Sequence, residues 1–543
     1  MSSRTARALS SAASVCASPG ALAFASGCVF TAFFNGAFFA NAATSYPPAQ
    51  GNFGFLLSLC ALVTGLSSLT LAVVCNRFTV KPLLMLLFPI AALCAYFMDS
   101  YNTVIDSDMI ANTLQTNISE ARDLMSGKLL LYMVSLGAIP AGIIYRMPLA
   151  AMSYRAEFFC SVKSVLLSIG IMVLAIAPFS AQYASFFREH KILRYYANPV
   201  SPLFSTVRYF DKHRITGSDP ARNPLGEDAR IPAADTDREL VILVVGETAR
   251  ADRFSLNGYA RKTNPGLERY QSLVSFSNMQ SCATSTAISV PCMFALRDDD
   301  SVDIEKFGRT ENLLDVLTHA GVSVLWRDNN SDSKGVARNV RSENFRSAKL
   351  NPTCDGECRD SGMLAGLDEY ITGINQGDIL IVLHQMGNHG PAYYKRYPES
   401  FNIFTPTCNS NQLEDCTVEA INNSYDNAIL YTDYFLTRVI ALLQSYNDRF
   451  ETALFYVSDH GESLGEHGLY LHGLPNMIAP REQREVAALI WFGKNFEINL
   501  DEVTAHAADT YTHANLFHTV LGLFEVQTSV YNDKLDILRS AHR

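Results

Sequence analysis

Beyond about residue 190 this 543-residue chain has no apolar run long enough to cross a bilayer, whereas nearly every long apolar run lies before it. That asymmetry excludes a wholly soluble protein and equally excludes one built of membrane helices to its end. There is no internal repeat and no low-complexity tract. The cysteines lack the paired Cys/His spacing of a zinc finger. A formal net charge of -10 offers no basic excess, and no nucleic-acid partner is expected. Because that charge sums over both sides of a membrane, it says nothing more about partners.

Five stretches approach the ~20 residues needed to span hydrocarbon. They are Ala21 to Phe39, Gly54 to Cys75, Pro82 to Met98, Lys128 to Ile144 and Val162 to Ala184. Arg4 and Arg7 precede the first, Arg77 and Lys81 follow the second, and Arg146, Arg155 and Lys163 follow the fourth, which places the amino terminus in the cytoplasm. An odd number of spans leaves the rest of the chain on the far side, the periplasm of a bacterium. Arg188, Lys191 and Arg194 follow the fifth span against this rule, but large domains translocate largely regardless of such charges. Ala40-Asn41-Ala42 resembles a signal-peptide cleavage site, yet the preceding run is longer than a signal core, and cleavage would leave the later domain on the same side.

Three regions are expected: residues 1–185 as a five-helix transmembrane domain, 186–237 as a linker, and 238–543 as a soluble domain. Phe186 to Phe210 mixes aromatic and basic residues and suits the headgroup layer. Thr216 to Asp237, rich in Pro, Gly, Asp and Ala, marks the boundary.

Leu240 to Val245 is a continuous, mostly β-branched run and reads as a strand buried on both faces; Val322–Trp326, Asp378–Leu383, Ala453–Val457 and Ala487–Phe492 resemble it. Helical patterns alternate with them, at Glu311 to Ala320 and Tyr425 to Leu443. The expected fold is α/β with a mostly parallel central sheet. Ligands of such sheets gather at the carboxyl ends of the strands. There the chain places Glu247, then His384 with His389, then Asp459, His460 and Glu462, with His472 further on. Taken singly, each is more often a structural residue than a ligand. Together, carboxylates and imidazoles without cysteine point to zinc or manganese. Ser281 to Pro291 supplies hydroxyls beside a helix start, where backbone N–H groups favour an anion. The residues alone do not choose among Thr284, Ser285 and Thr286, and a plain helix cap explains any of them.

In the soluble half Cys282 and Cys292, Cys354 and Cys358, and Cys408 and Cys416 form three close pairs, and bonding between nearest neighbours is the simplest arrangement, in an oxidising compartment. Cysteines 16, 28, 60, 75, 94 and 160 lie in or beside the membrane part and require no function.

Gly246-Glu-Thr-Ala-Arg-Ala-Asp252, Ser285-Thr-Ala-Ile-Ser-Val-Pro-Cys-Met-Phe294, Trp326-Arg-Asp-Asn-Asn-Ser331, His389-Gly-Pro and Asp459-His-Gly-Glu-Ser-Leu-Gly-Glu466 closely resemble the lipid A phosphoethanolamine transferases, which include the mobile colistin-resistance enzymes. The resemblance covers most of the chain. It implies an alkaline-phosphatase or sulfatase-like soluble domain in the periplasm, anchored in the bacterial inner membrane. It further implies that Glu247, Thr286, Asp459 and His460 hold one catalytic Zn2+ and that Thr286 is the nucleophile. Asn330, Lys334, His389 and His472 match positions that bind phosphoethanolamine, with His384 as a neighbour; a second, weaker metal site stays open. The family motif usually has Gly after its first cysteine, where this chain has Ala283.

Asp108 to Leu124 reads as a helix in an outer loop, with Asn112, Thr116 and Glu120 along one face. The family uses such a loop near its lipid donor; a solvated face explains the pattern equally well. The implied partners are phosphatidylethanolamine as donor, lipid A as acceptor, and membrane lipids, with the chain a monomer. Modification of lipid A would lower surface negative charge and oppose polymyxin binding. A sulfatase is disfavoured because the Cys-x-Pro-x-Arg motif is absent. A glycerol-phosphate transferase fits the cysteine-rich motifs less well, and a non-catalytic sensor is disfavoured because no ligand is missing.

Overall fold

In hydrocarbon every backbone N–H must find a carbonyl, so the apolar segments fold as helices. The computed structural model describes residues 17–115, 121–122, 124–213, 222–297 and 304–541. Arg4, Arg7 and Cys16 lie outside them, as do Thr116, Glu120 and residues 216–221 of the expected boundary. The chain divides into two compact units, Met1–Ile110 with Met125–Phe210, and Ala111–Leu124 with Asp211–Arg543.

In the first unit α3 (Phe53–Val74), α4 (Val80–Tyr101), α6 (Gly127–Arg146) and α7 (Tyr154–Phe179) are each long and apolar enough to cross a membrane. The first expected span is not continuous. It is a pair, α1 (Pro19–Phe33) and α2 (Gly36–Ser45), bent by 58°. The cause is Asn35, whose amide donates to Phe30 O (2.9 Å) and to Asn198 O (2.7 Å), while Asp99 Oδ1 takes the N–H of Ala37 (2.7 Å). Polar side chains thus satisfy the backbone groups released at the break. Counting the pair as one span gives five. Between α4 and α6 lies α5 (Ser107–Gln115). After α7 come α8 (Ser180–Glu189) and α9 (Val200–His213), and Phe204, Val207 and Phe210 are exposed along α9.

The second unit is built on an eight-stranded sheet of order β10-β2-β9-β6-β1-β5-β3-β4. Its central strands are β1 (Glu239–Gly246), β5 (Ile379–His384) and β6 (Glu451–Ser458), flanked by β3 (Ser323–Asp328) and β9 (Glu485–Phe492). The outer strands are β2 (Leu273–Gln280), β4 (Arg341–Asn344) and β10 (Tyr511–Thr512), while β7 (Ser463–Leu464) and β8 (Tyr470–Leu471) form a separate antiparallel pair. β1 is parallel to β5 and β6, and β5 to β3, whereas β9 runs antiparallel to β6 and to β2. The sheet is therefore mostly parallel, with β9 reversed. Every residue of β1 and β9 is buried, as their unbroken apolar runs require.

Four helices of this unit matter below: α10 (Thr286–Phe294), α11 (Leu313–His319), α12 (Val418–Gln444) and α13 (His513–Leu523). α11 starts at a capping box formed by Asn312 and Asp315, and α12 at Thr417, whose hydroxyl accepts from Ala420 N. One core joins the sheet to α10, α11 and α13; Leu243 and Phe455 from the sheet share it with Val290, Leu317 and Phe517 from the helices, all fully buried. Truncating such a residue to alanine costs about 2–5 kcal/mol.

Candidate metal and nucleophile site

Register builds the site. Gly246 pairs with Ser458 and Val245 with His384, so the residues that follow β1 and β6, Glu247 and Asp459, emerge side by side at the carboxyl edge, next to His384. Gly246 is obligatory, because a Cβ there would stand 2.4 Å from the Tyr456 hydroxyl. Gly461 is likewise needed for close approach, since its Cβ would meet Glu482 O at 2.1 Å.

Glu247, Asp459 and His460 are fully buried, and one ligand atom from each lies within 4.8 Å of the others. His460 Nδ1–H donates to Gly461 O (2.9 Å), which leaves the lone pair on Nε2 facing Asp459 Oδ2 (3.5 Å) and Glu247 Oε1 (3.6 Å). Asp459 Oδ1 accepts the N–H groups of Thr248 (3.2 Å) and His460 (2.7 Å), which fixes the carboxylate. Burial pushes the Asp459 carboxyl up and the His460 imidazole well down, the direction expected where charged and basic atoms are withdrawn from water.

Thr286 is the first residue of α10, behind the extended Ser285. Its Oγ1 lies 3.1 Å from Glu247 Oε2 and 3.2 Å from His460 Nε2. The hydroxyl has one proton and both neighbours are acceptors. At least one acceptor therefore faces the oxygen with no hydrogen between, an arrangement that a cation relieves. The donor set fits a metal ion such as zinc: two carboxylates and one imidazole from the ends of β1 and β6, with a hydroxyl from the start of α10. Thr284, by contrast, donates to Leu474 O (2.6 Å) and is engaged elsewhere.

Asn330 is buried and its amide donates to Glu247 Oε2 (2.7 Å) and Gln385 O (2.7 Å). Both its donor hydrogens are used. The atom it offers to a ligand is the carbonyl Oδ1, an acceptor suited to an ammonium and not to a phosphate oxygen. Lys334 has positive φ (49°), and its Nζ donates to Ser331 O (2.9 Å). His384 is fully buried, with Nδ1 held 2.8 Å from Asp328 Oδ2, an oxygen that also accepts from Trp326 Nε1 (3.1 Å).

His389 and His472 are half-buried, with ring centroids 6.0 Å apart, and His472 stands 4.3 Å from the His460 ring. Removal from water, assisted by Arg396, holds His389 well below the ordinary imidazole range, so it is neutral. Asn112 sits half-buried on α5. Three disulfides join Cys282–Cys292, Cys354–Cys358 and Cys408–Cys416, with Cα separations of 6.7, 3.9 and 5.6 Å. The first ties the turn before Thr286 to the last turn of α10. The carbonyl of Ala283 accepts from Ser281 Oγ (2.8 Å) and Ser289 Oγ (3.0 Å), and its methyl is accommodated without positive φ.

The strand-end pattern counts Glu462 among the possible metal ligands, and the family resemblance assigns it no role. It is fully buried, its Oε1 lies 3.2 Å from His472 Nδ1, and burial raises its pKa. Asp328 escapes in the same way. Both stand inside motifs that the sequence singles out, Asp459-His-Gly-Glu and Trp326-Arg-Asp, but neither residue type distinguishes a ligand from the group that orients one.

Residues 239–526 match the family model described as Sulfatase, and residues 63–214 that described as Phosphoethanolamine transferase EptA/EptB. The chain is 41% identical over 521 residues to phosphatidylethanolamine transferase Mcr-1 of Escherichia coli, covering 94% of this chain and 95% of that protein. It is 39% identical to phosphoethanolamine transferase EptA of Escherichia coli (strain K12), covering 85% and 86% respectively. Among solved structures, the integral membrane protein lipooligosaccharide phosphoethanolamine transferase A from Neisseria meningitidis superposes with a TM-score of 0.91 at 34% identity, covering 97% of this chain and 99% of that one.

Proposed function

Because the chain belongs to the phosphoethanolamine transferase family and is an integral membrane protein, we propose that it moves phosphoethanolamine from phosphatidylethanolamine to a lipid A phosphate and thereby confers polymyxin and colistin resistance. The observation that carries this reading is the convergence of Thr286 Oγ1 on Glu247 Oε2 and His460 Nε2 at 3.1 and 3.2 Å. In this reading the amino terminus is cytoplasmic and residues 238–543 act as a monomeric catalytic domain in the periplasm, reached from the inner-membrane domain 1–185 through the linker 186–237.

Glu247, Asp459, His460 and Thr286 would hold one Zn2+. When bound, the ion supplies positive charge that favours the deprotonated hydroxyl and offsets charge on the phosphoryl group. Thr286 Oγ1 attacks the donor phosphorus and the bond to the diacylglycerol oxygen breaks. A phosphoethanolamine-threonine ester forms, and diacylglycerol leaves with a proton. An acceptor phosphate oxygen then attacks the same phosphorus and regenerates the threonine. The start of α10 directs backbone N–H groups at the phosphoryl oxygens. His472, whose Nδ1–H is committed to Glu462, presents Nε2 for proton exchange with leaving and entering oxygens. Asn330 Oδ1 receives the ethanolamine ammonium, and neutral His389 completes that pocket. Lys334 and His384 contribute to binding the same group, and Asn112, Thr116 and Glu120 serve the lipid donor.

The test is mass spectrometry of lipid A from a Gram-negative host producing this chain, beside Thr286→Ala. A phosphoethanolamine mass increase is expected with the intact chain alone. An unchanged lipid A profile from folded, zinc-loaded protein would reject lipid A as the acceptor.

A further inference from the structure

We infer that His513 is a positioning residue for this reaction, a bridge of fixed tautomer between the loop that carries Thr286 and the end of β6 that carries Asp459 and His460. The inference rests on the function proposed above. His513 opens α13, fully buried, behind Thr512, whose hydroxyl takes the N–H of Ala514 (3.2 Å) while Asn515 Oδ1 takes that of Thr512 (2.8 Å). This reciprocal cap fixes the backbone from which the imidazole projects.

The ring makes one contact at each nitrogen. Nδ1 lies 3.3 Å from the backbone N of Cys282, and Nε2 lies 3.0 Å from the carbonyl oxygen of Ser458. A peptide N–H only donates and a carbonyl only accepts, so the proton is on Nε2 and the lone pair on Nδ1. Neither the other tautomer nor the imidazolium satisfies both. Burial, the largest influence, holds the pKa down to about 4, consistent with the neutral ring that the geometry demands.

The two partners are what give the bridge consequence. Ser458 directly precedes Asp459, and its hydroxyl also takes the N–H of Ala249 (2.7 Å), two residues after Glu247. Cys282 begins the turn into α10, is bonded through sulfur to Cys292, and its carbonyl accepts from Asn476. Of the ties on Cys282, the one through His513 reaches β6. It therefore helps set the spacing between the threonine oxygen and the acceptors it faces, the distance on which the chemistry depends.

The experiment uses full-length protein in detergent micelles containing phosphatidylethanolamine, with His513→Phe, which removes both bonds, and His513→Asn, whose amide oxygen replaces the Nδ1 acceptor. Four quantities are read: melting temperature, zinc affinity by competition with a chelator, kcat and KM. For His513→Phe we expect zinc affinity to fall about 10–100-fold and kcat to fall by a similar factor, with KM for the lipid nearly unchanged. His513→Asn should recover part of both. Wild-type zinc affinity and kcat per folded molecule in either variant would overturn the inference, including when the melting temperature drops, because that result assigns His513 a purely structural role. If His513→Phe fails to fold, the same comparison is made on His513→Asn against wild type, where an intermediate loss is expected. Should the wild-type chain itself transfer no phosphoethanolamine, the function fails separately, and the zinc-affinity comparison still decides for or against the bridge.

Discussion

The central strands β1 and β6 carry carboxylates at both ends, and the two ends behave differently. At the carboxyl end Glu247 and Asp459 follow β1 and β6, with His460, His384 and the amide of Asn330 among them. At the amino end Glu239 and Glu451 open β1 and β6, and Asp378 precedes β5, with Asp235 nearby. No imidazole joins this second group among the described residues. Its Arg238 gives its guanidinium to the carbonyls of Gly377 and Ile374. Burial first and the neighbouring acids second push Glu239 up to about 9, and burial pushes Glu451 up to about 7. Burial raises carboxyls at both ends, but one end adds imidazole and hydroxyl acceptor atoms that a cation can share, while the other gathers carboxylates alone, whose repulsion a retained proton relieves. Buried acidity alone, then, is not a metal site; the deciding feature is whether lone pairs converge from groups already fixed by other hydrogen bonds.

The largest expected effect breaks the contrast at its active end. Glu247→Gln should lower both bound zinc, read by elemental analysis, and transfer to lipid A, the latter on the order of 10³-fold, because several kcal/mol of charge stabilisation goes with the ion. Stripping zinc from the wild-type protein with a chelator should reproduce that loss, and restoring zinc should reverse it. A smaller effect is expected from Glu462→Gln, which keeps the volume but cannot hold His472 Nδ1–H as a carboxylate does: about 10–100-fold in kcat, with zinc content intact. Equal kcat in the two proteins would remove Glu462 from the mechanism.

The amino end yields effects on stability and not on catalysis. Glu239 has its folded pKa above its unfolded value, so its contribution is fully present below about pH 4.5 and is lost as pH rises toward about 9. Glu239→Gln, which needs no proton to be neutral, should match wild type near pH 5 and exceed it by about 2–4 kcal/mol at pH 8, measured by denaturant unfolding of the soluble unit's transition. A gain at pH 5 as large as that at pH 8 would contradict a held proton. Glu451→Gln should act in the same direction but by less than about 1 kcal/mol, since that side chain is only half-buried and solvent screens it.

Much of this is legible in the amino-acid sequence. Leu240–Val245 reads as a central strand because a run buried on both faces needs no alternation, and the motifs that follow β1, β5 and β6 stand out because strand ends collect ligands. β2 is not legible. Its residues alternate only loosely in burial, and a register shift between Phe276 and Met279 breaks the period. The reversal of β9 is hidden for another reason: Ala487–Phe492 looks like any buried strand, and direction is a property of the connection and not of composition. The bend in the first membrane segment depends on Asn198, more than 160 residues from Asn35, and no local pattern announces such a partner. For Asn330 the motif finds the residue and not its chemistry, because which amide atom remains for a ligand depends on Glu247 and Gln385.

Composition and local pattern were enough for the membrane anchor, the buried strands, the three cysteine pairs and the group of residue types that can hold zinc, since hydrophobicity, β-branching and short loop closure all act over a few residues. The pairing of Gly246 with Ser458, the meeting of Thr286 with Glu247 and His460 while Thr284 faces Leu474, the tautomer of His513, and the different surroundings of the carboxylates at the two strand ends came from contacts between segments far apart in the chain. Those depend on which lone pair meets which proton at about 3 Å, and only a packed fold sets that distance.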